Sequence, residues 1–366
     1  MTDARAVVLS EFDQPVRLET FPMPEPAPGA VLAEVEFGGV CGTDVHLQAG
    51  RLPIPLPVVL GHEGVGRVRA LGEGVDRDSL GVELRVGDAI SWGSNIACGQ
   101  CVYCRDVAEP SLCENRRVYG INRSADVAPH LTGSWADVIH LDAGSTIVRL
   151  GEDAPSRAVI ALGCAGPTTV HGVLGQTPPG VGETVIVQGA GPVGLAAAMY
   201  AQLAGAARVV LVGAPAGRID VARSHGIGDE HIEISGLSAA DRVAAALELT
   251  PGGRGADLVI ECTGVPPAVA EGIDLCRAGG RYLVLGQYTD HGPTPVNPHL
   301  ITRKQLEVRG SWAFSARDVV QYCRTVPVLN ARFELEPLVT EFGLADAQDA
   351  LDAAREGRVV KAVVAA

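Results

Sequence analysis

The sequence predicts an α/β protein made of two parts, a β-rich first part with many loops and a second part built on a doubly wound parallel sheet. At 366 residues the chain exceeds one ordinary hydrophobic core, so two domains are expected. Up to about residue 155 it contains short strand-like runs bounded by glycine and proline, and no long amphipathic helix. Beyond that point strand-like runs alternate with helical patterns, which is typical of a parallel sheet.

Composition and charge exclude several classes of partner. With 47% hydrophobic and 20% charged residues the composition is that of a soluble globular protein, and the net charge of −14 argues against a nucleic acid or an anionic membrane. The start, M-T-D-A-R-A-V-V, lacks a signal-peptide pattern, and no apolar stretch is long enough for a membrane span. Four of the nine cysteines lie within sixteen positions at metal-type spacing, so we expect a reducing, cytoplasmic location.

The first part should consist of strands at residues 6–9, 31–37, 65–70 and 86–90. Within this part, C-G-T-D-V-H begins at Cys41, and G-H-E-G-V-G contains His62 and Glu63. Thiolate, imidazole and carboxylate are all zinc ligands, and a catalytic zinc site holds three protein ligands with a fourth position open. Cys164, in L-G-C-A-G-P-T-T, is our candidate for the third ligand. Alternatively Cys41 is a small buried hydrophobe and His62 a core histidine, but the motifs further along the chain favour the metal.

A second metal motif contains two successive C-x-x-C steps and a later cysteine, at Cys98, Cys101, Cys104 and Cys113. Four thiolates suit a closed tetrahedral zinc site, which has no open position and is therefore structural. An iron–sulfur cluster or a redox dithiol are the alternatives, and the first is weakened because no further cysteine run or adjacent proline completes its pattern.

A dinucleotide-binding loop is predicted in the second part of the chain, where strand-like and helical patterns alternate. The strand Thr184–Gln188 is followed by G-A-G-P-V-G, with Gly189, Gly191 and Gly194 at G-x-G-x-x-G spacing, and then by the alanine-rich helix Pro192–Leu203, which Pro192 and Val193 open. The glycines make the turn, admit the pyrophosphate and allow close helix–strand packing, and the helix N-terminus faces the phosphate charge. Five further strand-like runs follow, at residues 208–212, 230–234, 257–261, 281–285 and 305–309.

Taken together, these four ordered motifs make the whole chain similar to the zinc-dependent medium-chain alcohol dehydrogenases. The resemblance implies a GroES-like β-barrel catalytic domain at 1–157, a Rossmann NAD(P)-binding domain at 158–300, and a return to the catalytic domain at 301–366. It implies two zinc ions per chain, a catalytic one on Cys41, His62 and Cys164 and a structural one on the four-cysteine lobe. Glu63 then corresponds to an acid that can approach the catalytic metal as an alternative ligand.

Further site residues follow from the same resemblance. Thr43 and His46 correspond to a proton relay, in which the proton leaves Thr43 either through the ribose hydroxyl and His46 or directly to solvent. Asp44 corresponds to a carboxylate that steadies the histidine ligand. Thr168 is expected near the nicotinamide, and Lys361 where the family often places an arginine on the pyrophosphate.

Two positions depart from the family pattern. Cys113 lies one residue further from Cys104 than usual, which a loop can absorb. Gly213 stands where NAD enzymes of the family place an aspartate for the ribose hydroxyls, and Arg218 is the nearest cation. We therefore expect NAD to be used, with NADP accepted as well.

The expected reaction is hydride transfer between a secondary or cyclic alcohol, or its ketone, and NAD(P). A polyol or amino-alcohol dehydrogenase, and a non-enzymatic nucleotide-binding protein, are the alternatives; many of the polyol relatives carry a glutamate in place of Cys164. Trp92, Trp312, Ile54 and Leu56 are candidates for the substrate wall, with core packing as the alternative. A homodimer or homotetramer is expected, paired through the strand at 281–285.

Overall fold

The computed structural model describes residues 3–366. Two compact units are present: the first combines the described residues up to Pro167 with Phe314–Ala366, and the second is Thr168–Ala313.

Short strands dominate the chain up to residue 155, as the sequence predicts. The elements there are β1 (Asp3–Leu9), β2 (Arg17–Pro22), β3 (Val31–Gly39), α1 (Gly42–Gln48), β4 (Val58–Val59), β5 (Glu63–Leu71), β6 (Ala89–Trp92), β7 (Asn95–Ile96), α2 (Val102–Arg105), β8 (Arg117–Val118), β9 (Val138–Leu141) and β10 (Ile147–Arg149), with a 3₁₀ turn at Pro110–Leu112.

Helices and strands then alternate. They are α3 (Ser156–Leu162), α4 (Ala165–Thr169), the π-helix Val170–Gln176, β11 (Thr184–Gln188), α5 (Pro192–Leu203), β12 (Arg208–Gly213), α6 (Ala216–Ser224), β13 (Glu230–Glu233), α7 (Ala239–Glu248), β14 (Ala256–Glu261), α8 (Pro266–Leu275), β15 (Cys276–Val284), α9 (Pro298–Lys304) and β16 (Glu307–Gly310), with a 3₁₀ turn at Pro251–Gly253.

The chain closes with the long helix α10 and a final strand–helix–strand sequence. These elements are α10 (Ala316–Phe333), β17 (Val339–Gly343), α11 (Ala347–Arg355) and β18 (Lys361–Ala365), with 3₁₀ turns at Glu336–Leu338 and Leu344–Asp346.

The first unit is built around a seven-stranded sheet. Its strand order is β10-β6-β5-β3-β18-β17, and β9 also pairs with β3. The last strand, β18, pairs antiparallel with the end of β3 and parallel with β17, so the C-terminal segment completes the sheet of the first unit. This pairing places Lys361, the first residue of β18, close to the segment that leads from β3 into α1.

The second unit carries a six-stranded sheet in the order β13-β12-β11-β14-β15-β16, with every neighbouring pair parallel. Counted within the unit this is 3-2-1-4-5-6, the doubly wound order of dinucleotide-binding folds. The central strand β11, T-V-I-V-Q, is buried throughout because helices cover both faces of such a sheet. The predicted fold class is confirmed.

Two details differ from expectation. The strand expected at 281–285 belongs to β15, which lies inside the sheet between β14 and β16. Among the described residues, β16 is the edge strand at this end of the sheet and β13 is the edge strand at the other end. The unit boundaries fall at 167/168 and 313/314 instead of 157/158 and 300/301. The reason is packing: α3 contacts β3 and β5 of the first unit, and β16 still adds a strand to the parallel sheet.

No single helix in residues 3–366 has the length and apolar character needed to cross a membrane. The bent pair Ser156–Leu162 and Ala165–Gln176 reaches that length and apolar character only when its two helices are taken together.

Candidate active site and metal centres

Four metal-ligating side chains from distant positions meet in the first unit. Cys41 precedes α1, His62 and Glu63 stand at the start of β5, and Cys164 lies between α3 and α4. One ligand atom from each lies within 4.8 Å of all the others, and the Sγ atoms of Cys41 and Cys164 are 3.5 Å apart. The structure therefore brings together the ligand set expected from the sequence.

Asp44 contacts two of these residues, Cys41 and His62, and holds them in place. Its side chain is fully buried; Oδ2 accepts the backbone N–H of Cys41 at 2.8 Å, and Oδ1 lies 3.2 Å from Nδ1 of His62. Because Nδ1 is held by this carboxylate, Nε2 is the ring nitrogen left for a metal, and the carboxylate makes it a better donor.

Electrostatics at the site favour anionic sulfur beside positive charge. The hydrogen bond from Cys164 holds the pKa of Cys41 well below its usual range, and burial opposes this while His62 and Lys361 assist it. The same pairing, with burial, raises the pKa of Cys164. Burial alone would lower the pKa of His62, but Asp44 and Cys41 outweigh it and raise that pKa.

Glu63 is held closely beside the sulfur atoms. Its carboxylate fits only because Gly39 and Gly163 lack a Cβ; a Cβ at either position would strike the carboxylate. Oε1 accepts the backbone N–H of Cys164 at 2.9 Å, and Oε2 forms an ion pair with Nζ of Lys361. The resemblance implies that Lys361 binds pyrophosphate, whereas the structure buries it against Glu63.

The donor set fits zinc. Two thiols and one imidazole are preferred zinc ligands, and tetrahedral Zn–S bonds of 2.3 Å would place two sulfur atoms about 3.8 Å apart. The observed separation of 3.5 Å between Cys41 and Cys164 is close to this value.

The four-cysteine lobe forms a second cluster. One Sγ from each of Cys98, Cys101, Cys104 and Cys113 lies within 4.8 Å of the others, and the N–H of Cys98 donates to Sγ of Cys113 at 3.2 Å. Backbone N–H groups of Gln100 and Cys101 lower the pKa of Cys98 to about 6, whereas desolvation and the neighbouring thiols raise that of Cys104 to about 12. Four sulfur atoms with no other ligand type suit a closed structural zinc site.

The two relay residues stand on α1, one helical turn apart. Oγ1 of Thr43 lies 3.8 Å from Sγ of Cys41, and His46 is three residues further along the same helix. Both side chains are partly buried. The structure thus places Thr43 beside Cys41 and His46 on the same side of the helix.

A small, partly open cavity in the first unit borders the ligands. His62, Glu63 and Cys164 line it, and its apolar walls come from Trp92, Val159, Ile160, Phe314, Val319 and Tyr322. Of the side chains proposed from sequence for the substrate wall, Trp92 is present. Ile54 and Leu56 instead pack against the hydrophobic cluster around Leu47 and Leu351, and Trp312 stacks on Tyr288 in the second unit at 4.7 Å. Sequence patterns gave no sign of Phe314 or Tyr322, which reach the cavity through the returning C-terminal segment.

The glycine-rich loop of the second unit has the geometry of a phosphate-binding turn. Gly189 has φ +113, Gly191 precedes α5, and Pro192 and Val193 open that helix. A Cβ on Gly194 would strike the carbonyl oxygen of Gly189, so only glycine allows the helix to start here.

Gly213 and Arg218 lie next to this loop. A Cβ on Gly213 would be 2.7 Å from both N and Cβ of Ala190, while Nη1 of Arg218 lies 3.8 Å from the Cβ position of Gly191. Burial lowers the pKa of the Arg218 guanidinium. Thr168 is the first residue of the second unit, within α4.

Comparisons with known proteins agree with this arrangement. Residues 27–152 match the alcohol dehydrogenase GroES-like domain, and residues 192–326 match the zinc-binding dehydrogenase family. A 5-exo-hydroxycamphor dehydrogenase of Pseudomonas putida is 36% identical over 368 residues, covering 100% of this chain and 99% of the relative.

Two solved structures are similar along the full length. An alcohol dehydrogenase from Thermotoga maritima has a TM-score of 0.91 at 33% identity, covering 99% of both chains. A structure from Sinorhizobium meliloti 1021 described as a zinc-binding dehydrogenase bound to NADP has a TM-score of 0.87 at 27% identity, covering 100% of both. The chain belongs to the zinc-dependent medium-chain alcohol dehydrogenase family.

Proposed function

We propose that this protein is a zinc-dependent dehydrogenase that transfers a hydride between a secondary or cyclic alcohol, or its ketone, and NAD(P). The observation that carries the proposal is the meeting of Cys41, His62 and Cys164, of which His62 and Cys164 also line a mostly apolar cavity. Zinc bound there would act as a Lewis acid that lowers the pKa of a substrate hydroxyl. A second zinc on the four-cysteine lobe would hold together a segment whose side chains are largely exposed.

The residues of the chain orient the ligands and move the proton. Asp44 fixes the His62 ring through Nδ1. Oγ1 of Thr43 accepts the proton of the substrate hydroxyl as Thr43 releases its own hydroxyl proton. His46, partly exposed one turn further along α1, delivers that proton towards solvent. The relay through the ribose hydroxyl of the cofactor remains part of this proposal.

The cofactor would be NAD, with NADP also accepted. Gly189, Gly191 and Gly194 admit the pyrophosphate to the N-terminus of α5, where Pro192 and Val193 begin the helix. Gly213 leaves no acid to hold the 2′-hydroxyl or to repel a 2′-phosphate, and Arg218 stands close to the loop. Thr168 would pack near the nicotinamide. The NADP bound in the Sinorhizobium meliloti structure is consistent with tolerance.

The apolar lining of the cavity favours a cyclic or bulky secondary alcohol as the substrate. Aromatic and branched aliphatic side chains provide most of its wall, and the relative from Pseudomonas putida acts on hydroxycamphor, as its name states. A polyol would need several hydrogen-bonding partners in such a pocket to offset the loss of water. A purely structural nucleotide-binding role does not explain why ligands and relay are all in place.

A dimer through β16 is proposed in place of pairing through residues 281–285. All four residues of β16 are exposed, and among the described residues its outer edge has no neighbouring strand. An exposed edge is a template for pairing with the same strand of a second copy about a two-fold axis.

An absorbance assay of NAD(P)H formation over a panel of alcohols tests the proposed reaction. We expect turnover with cyclohexanol and with a bicyclic secondary alcohol, little with sorbitol or threonine, and loss of turnover in Cys41→Ala. Cys276→Ala is the matched control, because this cysteine is buried at the start of β15 and belongs to neither cluster. Turnover that persists in Cys41→Ala would contradict the assignment.

A further inference from the structure

Lys361 is an unusual residue for its position. The chain contains only two lysines among its 29 basic residues, and this one is 1% exposed. Its Nζ donates to the carbonyl oxygen of Val40 at 3.1 Å and forms an ion pair with Oε2 of Glu63. A buried lysine is stable only when its charge is compensated, so Glu63 is its partner in folding.

Glu63 in turn has both carboxylate oxygens occupied. Oε1 accepts the N–H of Cys164, and Oε2 is held by Lys361. Yet a carboxylate oxygen of Glu63 also lies within 4.8 Å of the ligand atoms of Cys41, His62 and Cys164. A carboxylate this close is a competent zinc ligand and could fill the position that a substrate needs.

Charge explains why the lysine matters. Two thiolates would balance Zn²⁺, and the buried carboxylate of Asp44 is held by His62. Glu63 brings a further negative charge, which its ion pair with Lys361 offsets. The ion pair with Lys361 removes the electrostatic reason for Glu63 to bind the metal. The hydrogen bond from the N–H of Cys164 fixes the position of the Glu63 carboxylate relative to Cys164.

We propose that Lys361 is a positioning residue that holds Glu63 outside the coordination sphere of the metal and so keeps the fourth position open for substrate. This inference rests on the proposed function. It also assigns Glu63 a supporting role: its carboxylate orients Cys164 through the backbone instead of binding zinc. Pyrophosphate binding by Lys361 is the competing role.

The test uses protein in which Co²⁺ replaces zinc, because the visible spectrum of cobalt reports coordination geometry. Imidazole serves as a probe of the open position. We expect the wild type to show a four-coordinate thiolate spectrum that imidazole perturbs. Lys361→Met frees Oε2, so its spectrum changes without imidazole and its imidazole affinity falls about tenfold. The double variant Lys361→Met with Glu63→Gln should return to within about twofold of wild type.

Lys304→Met is the matched control. It removes the other lysine, whose Nζ donates to backbone carbonyls of Ile273, Asp274 and Cys276 in the second unit. Its cobalt spectrum should equal that of the wild type.

Three results would overturn the inference. The first is a Lys361→Met protein whose cobalt spectrum and imidazole affinity equal those of the wild type. The second is a Lys361→Met protein with the wild-type spectrum and imidazole affinity but weaker NAD binding, which would assign the lysine to the cofactor. The third result can be obtained even if Lys361→Met does not fold. It is a change of the cobalt spectrum in Glu63→Gln alone, which would show that the carboxylate of Glu63 binds the metal in the wild type. A wild-type spectrum that Cys41→Ala leaves unchanged would assign all cobalt–thiolate absorption to the four-cysteine lobe and would instead remove the proposed function itself.

Discussion

Gly213 is the position where the structure makes the most distinctive prediction about the cofactor loop. A Cβ here would lie 2.7 Å from N and Cβ of Ala190, a residue of the G-A-G-P-V-G turn that is 2% exposed. Relieving this overlap means moving loop backbone, and overpacking of this kind costs about 1–3 kcal/mol. Replacing glycine also stabilises by about 0.4–1 kcal/mol through the unfolded state. Gly213→Ala should therefore lose about 0.5–2 kcal/mol of unfolding free energy.

Urea and thermal unfolding measure this loss, and titration with NAD measures its consequence for the loop. Each kcal/mol should lower the midpoint by roughly 2–4 °C, and the NAD affinity should fall because Ala190 is displaced. Gly217→Ala is the matched control: it lies in α6, and in the described part of the chain no heavy atom lies within 4 Å of its Cβ position. It should be stabilised by up to about 1 kcal/mol. A Gly213→Ala protein as stable as Gly217→Ala, with wild-type NAD affinity, would refute the reasoning.

Three further predictions concern other sites. Cys101→Ala should lower stability and leave one zinc per chain, whereas Cys41→Ala should keep the fold and lose turnover. Denaturation and an activity assay measure these effects. Equal stability and equal activity in the two variants would contradict the division of roles between the two sites. Burial alone would raise the pKa of Asp142, but His140 and two arginines lower it below the usual range, so its ionised form stabilises the fold above about pH 4 and that contribution is lost as the pH falls further. Asp142→Asn should thus cost up to about 1 kcal/mol at pH 7, with the difference from wild type shrinking in unfolding titrations below pH 4. Glu261→Gln should cost about 1–3 kcal/mol, because the fully buried carboxylate accepts three backbone N–H groups and an amide nitrogen cannot accept; an unchanged denaturation midpoint would count against this.

Much of the fold could be predicted because its signals are local. The buried run T-V-I-V-Q, the glycines after it and the alanine-rich helix lie within twenty residues, and their order along the chain determines a parallel sheet. The pairing partners of individual strands have no comparable local signal. The strand at 281–285 was expected to pair with a second copy, but the sheet order depends on β16, whose polar and exposed residues give a weak strand signal.

The side chains that meet at the candidate metal centre could also be predicted, because their types and spacing are characteristic even though Cys164 lies 123 residues from Cys41. The contacts around them could not. Lys361 meets Glu63 across 298 residues, only because β18 returns to the end of β3. Phe314 and Tyr322 reach the cavity for the same reason. Such contacts follow from tertiary packing, which leaves no local pattern in the sequence.

The zinc content of the purified wild-type protein tests the central claim most directly. Elemental analysis without chelator treatment should give two zinc ions per chain, one for Cys41, His62 and Cys164 and one for the four-cysteine lobe. A value of one or none in folded protein would contradict the account.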